Sequence, residues 1–393
     1  MHVAIPMLTL VPGKMGGSET LTRGLVRGLS AAPGEEDRYT VVAEPEGAAT
    51  LEPLAREPVE VRTVPFARRG GSAAARLASV VRARYAGAGL RRAVTTAAGE
   101  PIDVVHYALT VSVPELDLPR VVTVFDLQHE LMPEFFSMAE RAYRRVFYAG
   151  AIARADAIVT ISEFSRQTIV ERHGVDPERV VVAYQDVDRE LFRPGPVPGD
   201  ESLLAPLRLP ERFVFYPANI WPHKNHERLI DAFAQSQDRE LTLVLSGQDH
   251  GKLPELMEHA GRAGVADRVM HAGYVERAQL PAIYRRAVGV VFPSLFEGLG
   301  IPPLEAQACG CQVAAARVAS LPEVLGERAL WFDPRDTGAI AGAIDALAAG
   351  HAPSGTPPES FWSRFNWEAA AADHRRAYRL AAGSGAGTRM AVR

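Results

Sequence analysis

The sequence predicts two doubly wound α/β halves. Three observations carry that expectation. Short β-branched runs alternate with longer Ala/Leu/Arg segments from end to end, the rhythm breaks near residue 190, and it restarts after residue 210. At 393 residues the chain is too long for one ordinary domain, and roughly 150 residues per domain gives two or three. Apolar residues at 47% and charged residues at 23% exclude collagen-like and wholly disordered chains. Lys plus Arg is 43 against 47 for Asp plus Glu, a net charge of -4, which argues against a dedicated nucleic-acid binder.

In the first half, His2–Leu8, Tyr39–Ala43, Val59–Val64, Val104–Tyr107, Val121–Phe125, Ala157–Ile161 and Val180–Ala183 read as strands. Ser18–Leu29, Ser72–Ala97, Met138–Arg154 and Glu163–Arg172 carry helical patterns between them. Prolines 194, 196, 198, 206 and 210 then interrupt any period, so residues 191–210 read as a linker. Beyond it, Arg212–Ala218, Leu241–Ser246, Arg268–Ala272, Gly289–Phe292, Gln312–Ala315 and Leu330–Phe332 read as strands. Helices are expected at His226–Gln235, Leu253–Ala263, Arg277–Arg286, Pro303–Cys309 and Thr337–Ala348. The expected organisation is residues 1–190, a first Rossmann-like domain; 191–210, the linker; 211–380, a second Rossmann-like domain; and 381–393, a Gly/Ser-rich disordered tail. Open parallel sheets bind ligands beyond the carboxyl ends of their strands, so the ligand is expected in a cleft that both halves face.

Cys309 and Cys311 are the only cysteines, and a bridge between them would close a strained ring. They read as packed thiols in a reducing compartment, without the second half of a zinc site. The N-terminus leads straight into a strand-like run rather than a charged signal-peptide region. No stretch reaches the roughly 18 apolar residues of a spanning helix. A cytoplasmic protein is expected, with room for peripheral contact at the inner membrane face.

The sharpest segment is FPSLFEGLGIPPLEAQACGCQV. A strand ends near Pro293, a turn holds Glu297, Gly298, Leu299 and Gly300, and Pro302 and Pro303 suit a first helical turn. Glycines let a backbone approach a ligand, and a helix N-terminus favours phosphate. A carboxylate accepts two hydrogen bonds from a vicinal diol. Glu297 and Glu305 therefore either grip two sugars flanking a diphosphate or merely cap a turn and a helix start.

This segment resembles the signature of glycosyltransferase family 4, the retaining group 1 type, whose pattern is EGfGlpxlEAmacGxPV. GYVERAQLPAIYRRA and ASLPEVLGERALWFDP resemble the same family's C-terminal domain, and MGGSE, TVFDLQHELMPEFF and VTISEFSR its N-terminal domain. The resemblance runs over about residues 1–380 in the right order. It implies the GT-B fold, two Rossmann-like domains facing across a cleft, with residues 1–190 on the acceptor side and residues 211–380 binding the nucleotide-sugar. It also implies transfer from a nucleotide-activated sugar with retention at the anomeric carbon. Glu297 then falls on the donor hexose hydroxyls and Glu305 on the ribose, with Gly298, Leu299, Gly300 and Val275 in the donor set.

In FVFYPANIWPHKNHERLIDAF, Lys224 lies between a strand and a helix, where it can reach a diphosphate and offset charge on the leaving group. The family has an Arg and a Lys at this turn; here Asn219 stands at the arginine position and brings no charge. His223 and His226 lack an accompanying carboxylate cluster and read as turn and capping residues. Gly16 and Gly17 follow the first strand, and the family match makes Gly17 a donor-phosphate contact. The family ends the VVTVFD strand with His-Asp; here Phe125 precedes Asp126. Either the histidine's role has moved to His129 or it is absent. His106 reads as a packed histidine, and Asp186-Val187-Asp188 as a loop where the family has a GVD turn, rather than a metal motif.

From Val61 to Gly99 there are eight arginines and no acidic residue. Arg68, Arg69, Arg76, Arg82 and Arg84 form either a solvated helical face or a surface for an anionic head group, lipid diphosphate or sugar. The expected function is a metal-independent, front-face retaining glycosyltransferase without a cofactor. Its donor is a nucleotide-sugar and its acceptor a sugar, lipid-linked or small molecule. The alternative is a degenerate module that binds a sugar nucleotide or a partner without turnover.

Overall fold

The computed structural model describes residues 1–390 apart from 14, 33, 35 and 67–86. Arg68, Arg69, Arg76, Arg82 and Arg84 therefore lie outside the described residues. The chain divides into two compact units. One comprises Met1–Asp186 with the segment from Ser363 onward, the other Val187–Trp362.

The first unit holds β1 (His2–Pro6), β2 (Arg38–Ala43), β3 (Val59–Thr63), β4 (Val104–Tyr107), β5 (Arg120–Thr123), β6 (Ala157–Thr160) and β7 (Val180–Val182). They form one sheet in the order β3-β2-β1-β4-β5-β6-β7, parallel throughout, with Val3 opposite both Tyr39 and Val104. Parallel neighbours need crossover connections that cover both faces, so inner strands are apolar at nearly every position. β1 and β4 are buried along their full length. The edge strand β3 differs: Glu60 and Arg62 face solvent and pair at 2.5 Å. Local chemistry sets the helix ends. Ser137 and Glu140 form a reciprocal capping box at the start of Met138–Arg154. Ser162 caps Glu163–His173, which ends where Gly174 turns left-handed at φ 61°.

The second unit holds β8 (Phe213–Pro217), β9 (Thr242–Ser246), β10 (Val269–His271), β11 (Gly289–Phe292), β12 (Val313–Ala316) and β13 (Leu330–Phe332). Their order is β10-β9-β8-β11-β12-β13, again parallel throughout. The thirteen strands of the described residues fall within two residues of the β-branched runs that predicted them. Two parallel sheets with helices are the expected fold class.

Three boundaries differ from the sequence expectation. The proline-rich stretch 191–210 is packed into the second unit: Phe192 is fully buried, Asp200–Leu204 is a short helix, and Arg285 holds Asp200 through two bonds of 2.6 and 2.7 Å. Its prolines hid two anchoring positions, Phe192 and Leu204. The expected disordered tail from 381 is helical as far as Met390, in a helix that begins at Trp367. That helix belongs to the first unit, not the second. Ala370, Ala371, Ala377, Tyr378 and Ala381 sit in the same core as Val3, Ile5, Leu25 and Val159. His106 is fully buried beneath it, sharing hydrogen bonds with the Tyr378 hydroxyl at 3.0 Å and with Thr123 Oγ1 at 2.8 Å. It is the packed histidine the sequence led us to expect, and burial holds its pKa well below the ordinary value.

The last helix crosses Gly17–Ala31 at two glycines. A Cβ on Gly28 would lie 2.4 Å from the Trp367 carbonyl oxygen, and one on Gly24 would lie 1.9 Å from the Trp367 ring. Backbone cannot give way as a flexible side chain can. Gly28→Ala is therefore expected to destabilise the first unit by about 1–3 kcal/mol through overpacking. Calorimetric unfolding checks it; an unchanged transition would show that the crossing is not close.

Candidate active site

In the second sheet the strand order reverses between β8 and β11. Loops leaving the carboxyl ends of two such strands diverge and open a crevice. The Asn219–Lys224 turn follows β8 and the Pro293–Gly300 turn follows β11. Topology alone thus brings Asn219, Lys224, Glu297, Gly298, Leu299 and Gly300 to one sheet edge.

Side chains lace these turns together. Asn225, left-handed at φ 63°, donates from Nδ2 to the carbonyls of Pro293 at 3.0 Å and Pro334 at 2.8 Å. The Tyr216 hydroxyl donates to the Lys224 carbonyl at 2.8 Å and meets Ser294 Oγ at 3.1 Å. Ser320 Oγ lies 2.9 Å from the Glu297 carbonyl and 3.1 Å from that of Leu299, so it fixes the turn from behind. In this frame Lys224 Nζ meets Glu297 Oε1 at 2.6 Å, with side-chain exposures of 18% and 11%. Asn219 Oδ1 accepts the Gln248 N–H at 2.8 Å, which braces the loops after β8 and β9.

Gly300 turns at φ 93° and caps Ile301–Ala308, with the prolines in its first turn as expected. A Cβ there would also meet Leu321 at 2.5 Å. Because the helix begins at Ile301, Glu305 lies beyond its first turn and does not serve as a helix-start carboxylate. Instead it is buried, accepting from Arg277 Nη1 at 2.9 Å and from the Tyr284 hydroxyl at 3.4 Å. Burial pushes its carboxyl up to about 7, against the pull of Arg277. Val275 is buried in the loop after β10, where the neighbouring Gly273 carbonyl accepts the Gly247 N–H at 2.9 Å. Arg277, Tyr284, Asn225 and Ser320 were not singled out from sequence.

His226 opens the helix His226–Gln235, and burial holds it neutral down to about 3; His223 is likewise lowered to about 3. Among the described residues no group of three or more His, Cys, Asp or Glu is placed to hold a metal. Asp188 Oδ1 accepts the Leu191 N–H at 3.0 Å, a loop role. Cys309 and Cys311 are buried free thiols.

In the first unit, Gly17 is the first residue of the helix Gly17–Ala31, behind Gly16 at φ 55°. Space where a Gly17 Cβ would sit is open. His129 is buried edge-on against Tyr148, 5.2 Å between ring centroids, and against Phe136. Burial, then Arg144, lowers its pKa to about 4. It is a neutral, packed ring at physiological pH.

The family description "Glycosyltransferase Family 4" matches residues 15–191, and "Glycosyl transferases group 1" matches residues 205–352. The chain belongs to this glycosyltransferase family. It is 30% identical over 234 residues to O-antigen chain mannosyltransferase B of Escherichia coli, a match spanning 58% of this chain and 61% of that protein. Sucrose-phosphate synthase from Thermosynechococcus elongatus shares the fold with a TM-score of 0.73 at 21% identity, covering 96% of this chain and 98% of that one. Anabaena Alr3699/HepE, solved in complex with UDP-glucose, matches with a TM-score of 0.61 at 20% identity over 100% of both chains. The fold that this chain shares with both neighbours is GT-B.

Glu305 makes the stability of this unit depend on pH. An unfolded glutamate titrates near 4.5, and the buried one near 7. Between those values the folded protein holds a proton that the unfolded chain has released. The cost of burying the charge is absent below the lower value and complete above the higher, so stability falls as pH rises through the window. Glu305→Gln removes this titration. In paired denaturant unfolding, wild type is expected to lose stability relative to the variant as pH rises from about 5 to about 8. Parallel curves would mean that Arg277 keeps the carboxylate charged throughout.

Proposed function

We propose that this protein transfers a sugar from a nucleotide-sugar donor to an acceptor hydroxyl, with retention at the anomeric carbon and without a metal or cofactor. One observation carries the reading: Glu297 opens the glycine turn, Glu305 sits in the helix that the turn starts, and each already holds a cation. Glu305 takes the ribose hydroxyls and Glu297 those of the donor sugar, since a carboxylate accepts from a vicinal diol. Lys224, the turn amides near Gly300 and the Asn219 amide stabilise the departing diphosphate, the charge-stabilising role a metal would otherwise fill. The bond from the anomeric carbon to the phosphate oxygen breaks and a bond to the acceptor oxygen forms on the same face. The acceptor proton goes to the departing phosphate oxygen. The relative's name, a mannosyltransferase, and the UDP-glucose complex of the Anabaena neighbour support a nucleotide-sugar donor. The acceptor is a sugar, a lipid-linked sugar or a small hydroxyl compound. We place the reaction in the cytoplasm, with peripheral membrane contact when the acceptor is lipid-linked; the buried free thiols suit that compartment. No helix among the described residues is long and apolar enough to cross a membrane.

Release of nucleoside diphosphate from UDP-glucose or GDP-mannose, with an anomer-resolved product by NMR, tests the class. Retained configuration supports the reading and an inverted linkage overturns it. Nucleotide binding without release across a broad acceptor panel would instead favour a binding module. Glu305→Gln is expected to weaken donor binding roughly 10- to 100-fold, as expected for losing charged hydrogen bonds. Glu297→Gln is expected to cut kcat more than nucleotide affinity, because it orients the reacting sugar. Kinetics left intact by both changes would remove the assignment.

A further inference from the structure

A diphosphate joined to a ribose on one side and a sugar on the other carries two negative charges, and the turn after β8 supplies one cation. Lys224 is that cation. Asn219 adds none, and its Oδ1 is committed to Gln248. The second charge has to be met elsewhere.

We infer that Arg277 supplies it, engaging the phosphate beside the ribose while Lys224 engages the phosphate beside the transferred sugar. The inference deepens the donor reading above and rests on it. Arg277 Nη1 sits 2.9 Å from Glu305 Oε1, and Lys224 Nζ sits 2.6 Å from Glu297 Oε1. The two carboxylates bracket the Gly298–Gly300 turn. A donor reads ribose, first phosphate, second phosphate, sugar. The protein pairs Glu305 with Arg277 and Glu297 with Lys224, so each carboxylate that would take a sugar already has a cation beside it.

Arg277 is equipped for a mobile ligand contact. Its side chain is 48% exposed although its carboxylate partner is only 4% exposed. Its guanidinium carbon lies over the Phe192 ring, 4.9 Å from the centroid, which steadies the group without consuming a donor. A guanidinium has five N–H donors in a planar fork, suited to a phosphate. When ribose hydroxyls donate to Glu305, that carboxylate needs the guanidinium less. The donor directed at Glu305 can then turn to the phosphate. Binding is an exchange of partners: hydroxyls take the carboxylates, and phosphates take the cations.

The test compares a nucleoside, its monophosphate and its diphosphate, in the uridine and guanosine series, by calorimetric or competitive binding to the full chain. Arg277→Gln is expected to weaken the monophosphate and the diphosphate alike, roughly 10- to 100-fold, and to leave the nucleoside unchanged. Lys224→Met is expected to weaken the diphosphate and spare the monophosphate. Arg277→Lys, which keeps the charge, is expected to retain most of the monophosphate affinity. Unchanged nucleoside binding also shows that the variant is folded. If Arg277→Gln weakens the nucleoside as much as the monophosphate, Arg277 only positions Glu305 and the inference falls. If it weakens nothing, the inference falls too. If wild type binds neither UDP nor GDP, the donor reading itself fails, a result separate from either.

Discussion

A parallel strand cannot turn back by a hairpin. Each must hand the chain to a crossover that returns it to the starting edge. Where the strand order reverses, consecutive crossovers run to opposite sides, and the loops at the carboxyl ends part. In the second sheet that place is between β8 and β11. Everything proposed for the donor stands on it. Lys224 and Glu297 are 73 residues apart in sequence, yet their side chains meet at 2.6 Å. Asn225 converts the neighbourhood into a fixed geometry. Its left-handed backbone ends the β8 turn, and its single amide ties that turn to the loops after β11 and β13.

A crevice of this kind has an electrostatic cost. Glu305 is almost wholly buried and Glu297 nearly so. An unpaired carboxylate there would be expelled or protonated. The protein answers by giving each a cation, and at Glu305 the answer is incomplete, since burial still raises its pKa. The tension suits a binding site. A carboxylate poised near neutrality with a half-exposed guanidinium is improved by a ligand that brings hydroxyls and phosphates together. A site fully satisfied without ligand would have less to gain.

The strands were legible because a parallel sheet buried on both faces demands β-branched runs, and those runs are contiguous in sequence. The glycine turn was legible for a similar reason: Glu297 through Glu305 is one short segment with its own backbone requirements. Arg277 and Tyr284 were not, because their role lies in reaching Glu305 from another loop and helix, and nothing local distinguishes a ligand-side arginine from a surface one. Asn225 was hidden beside Lys224, whose charge drew the attention. The proline-rich stretch misled because irregular backbone was equated with a free linker, while Phe192 and the Arg285–Asp200 pair pack it down. The position of His129 after β5 does not reveal the burial that keeps it neutral, nor the rings of Tyr148 and Phe136 packed around it.

The last helix was missed for a reason with its own consequence. Trp367 onward is rich in alanine, so its buried face carries little apolar bulk and its pattern is faint. Small residues are what the place requires: the helix runs close over Gly24 and Gly28 and over strands β4 to β7 of the first sheet. The first unit therefore has a core whose last wall comes from the end of the chain, with the second unit's residues lying between in sequence. During synthesis β1 to β7 emerge long before that wall exists, with Val121, Val159 and Val181 lacking part of their cover. The second unit, contiguous from Val187 to Trp362, carries no such dependence and has all its strands in hand before the first core can close. The buried hydrogen bond between His106 and Tyr378 then joins the fourth strand to the helix that begins at Trp367, a polar contact that waits for the synthesis of Tyr378.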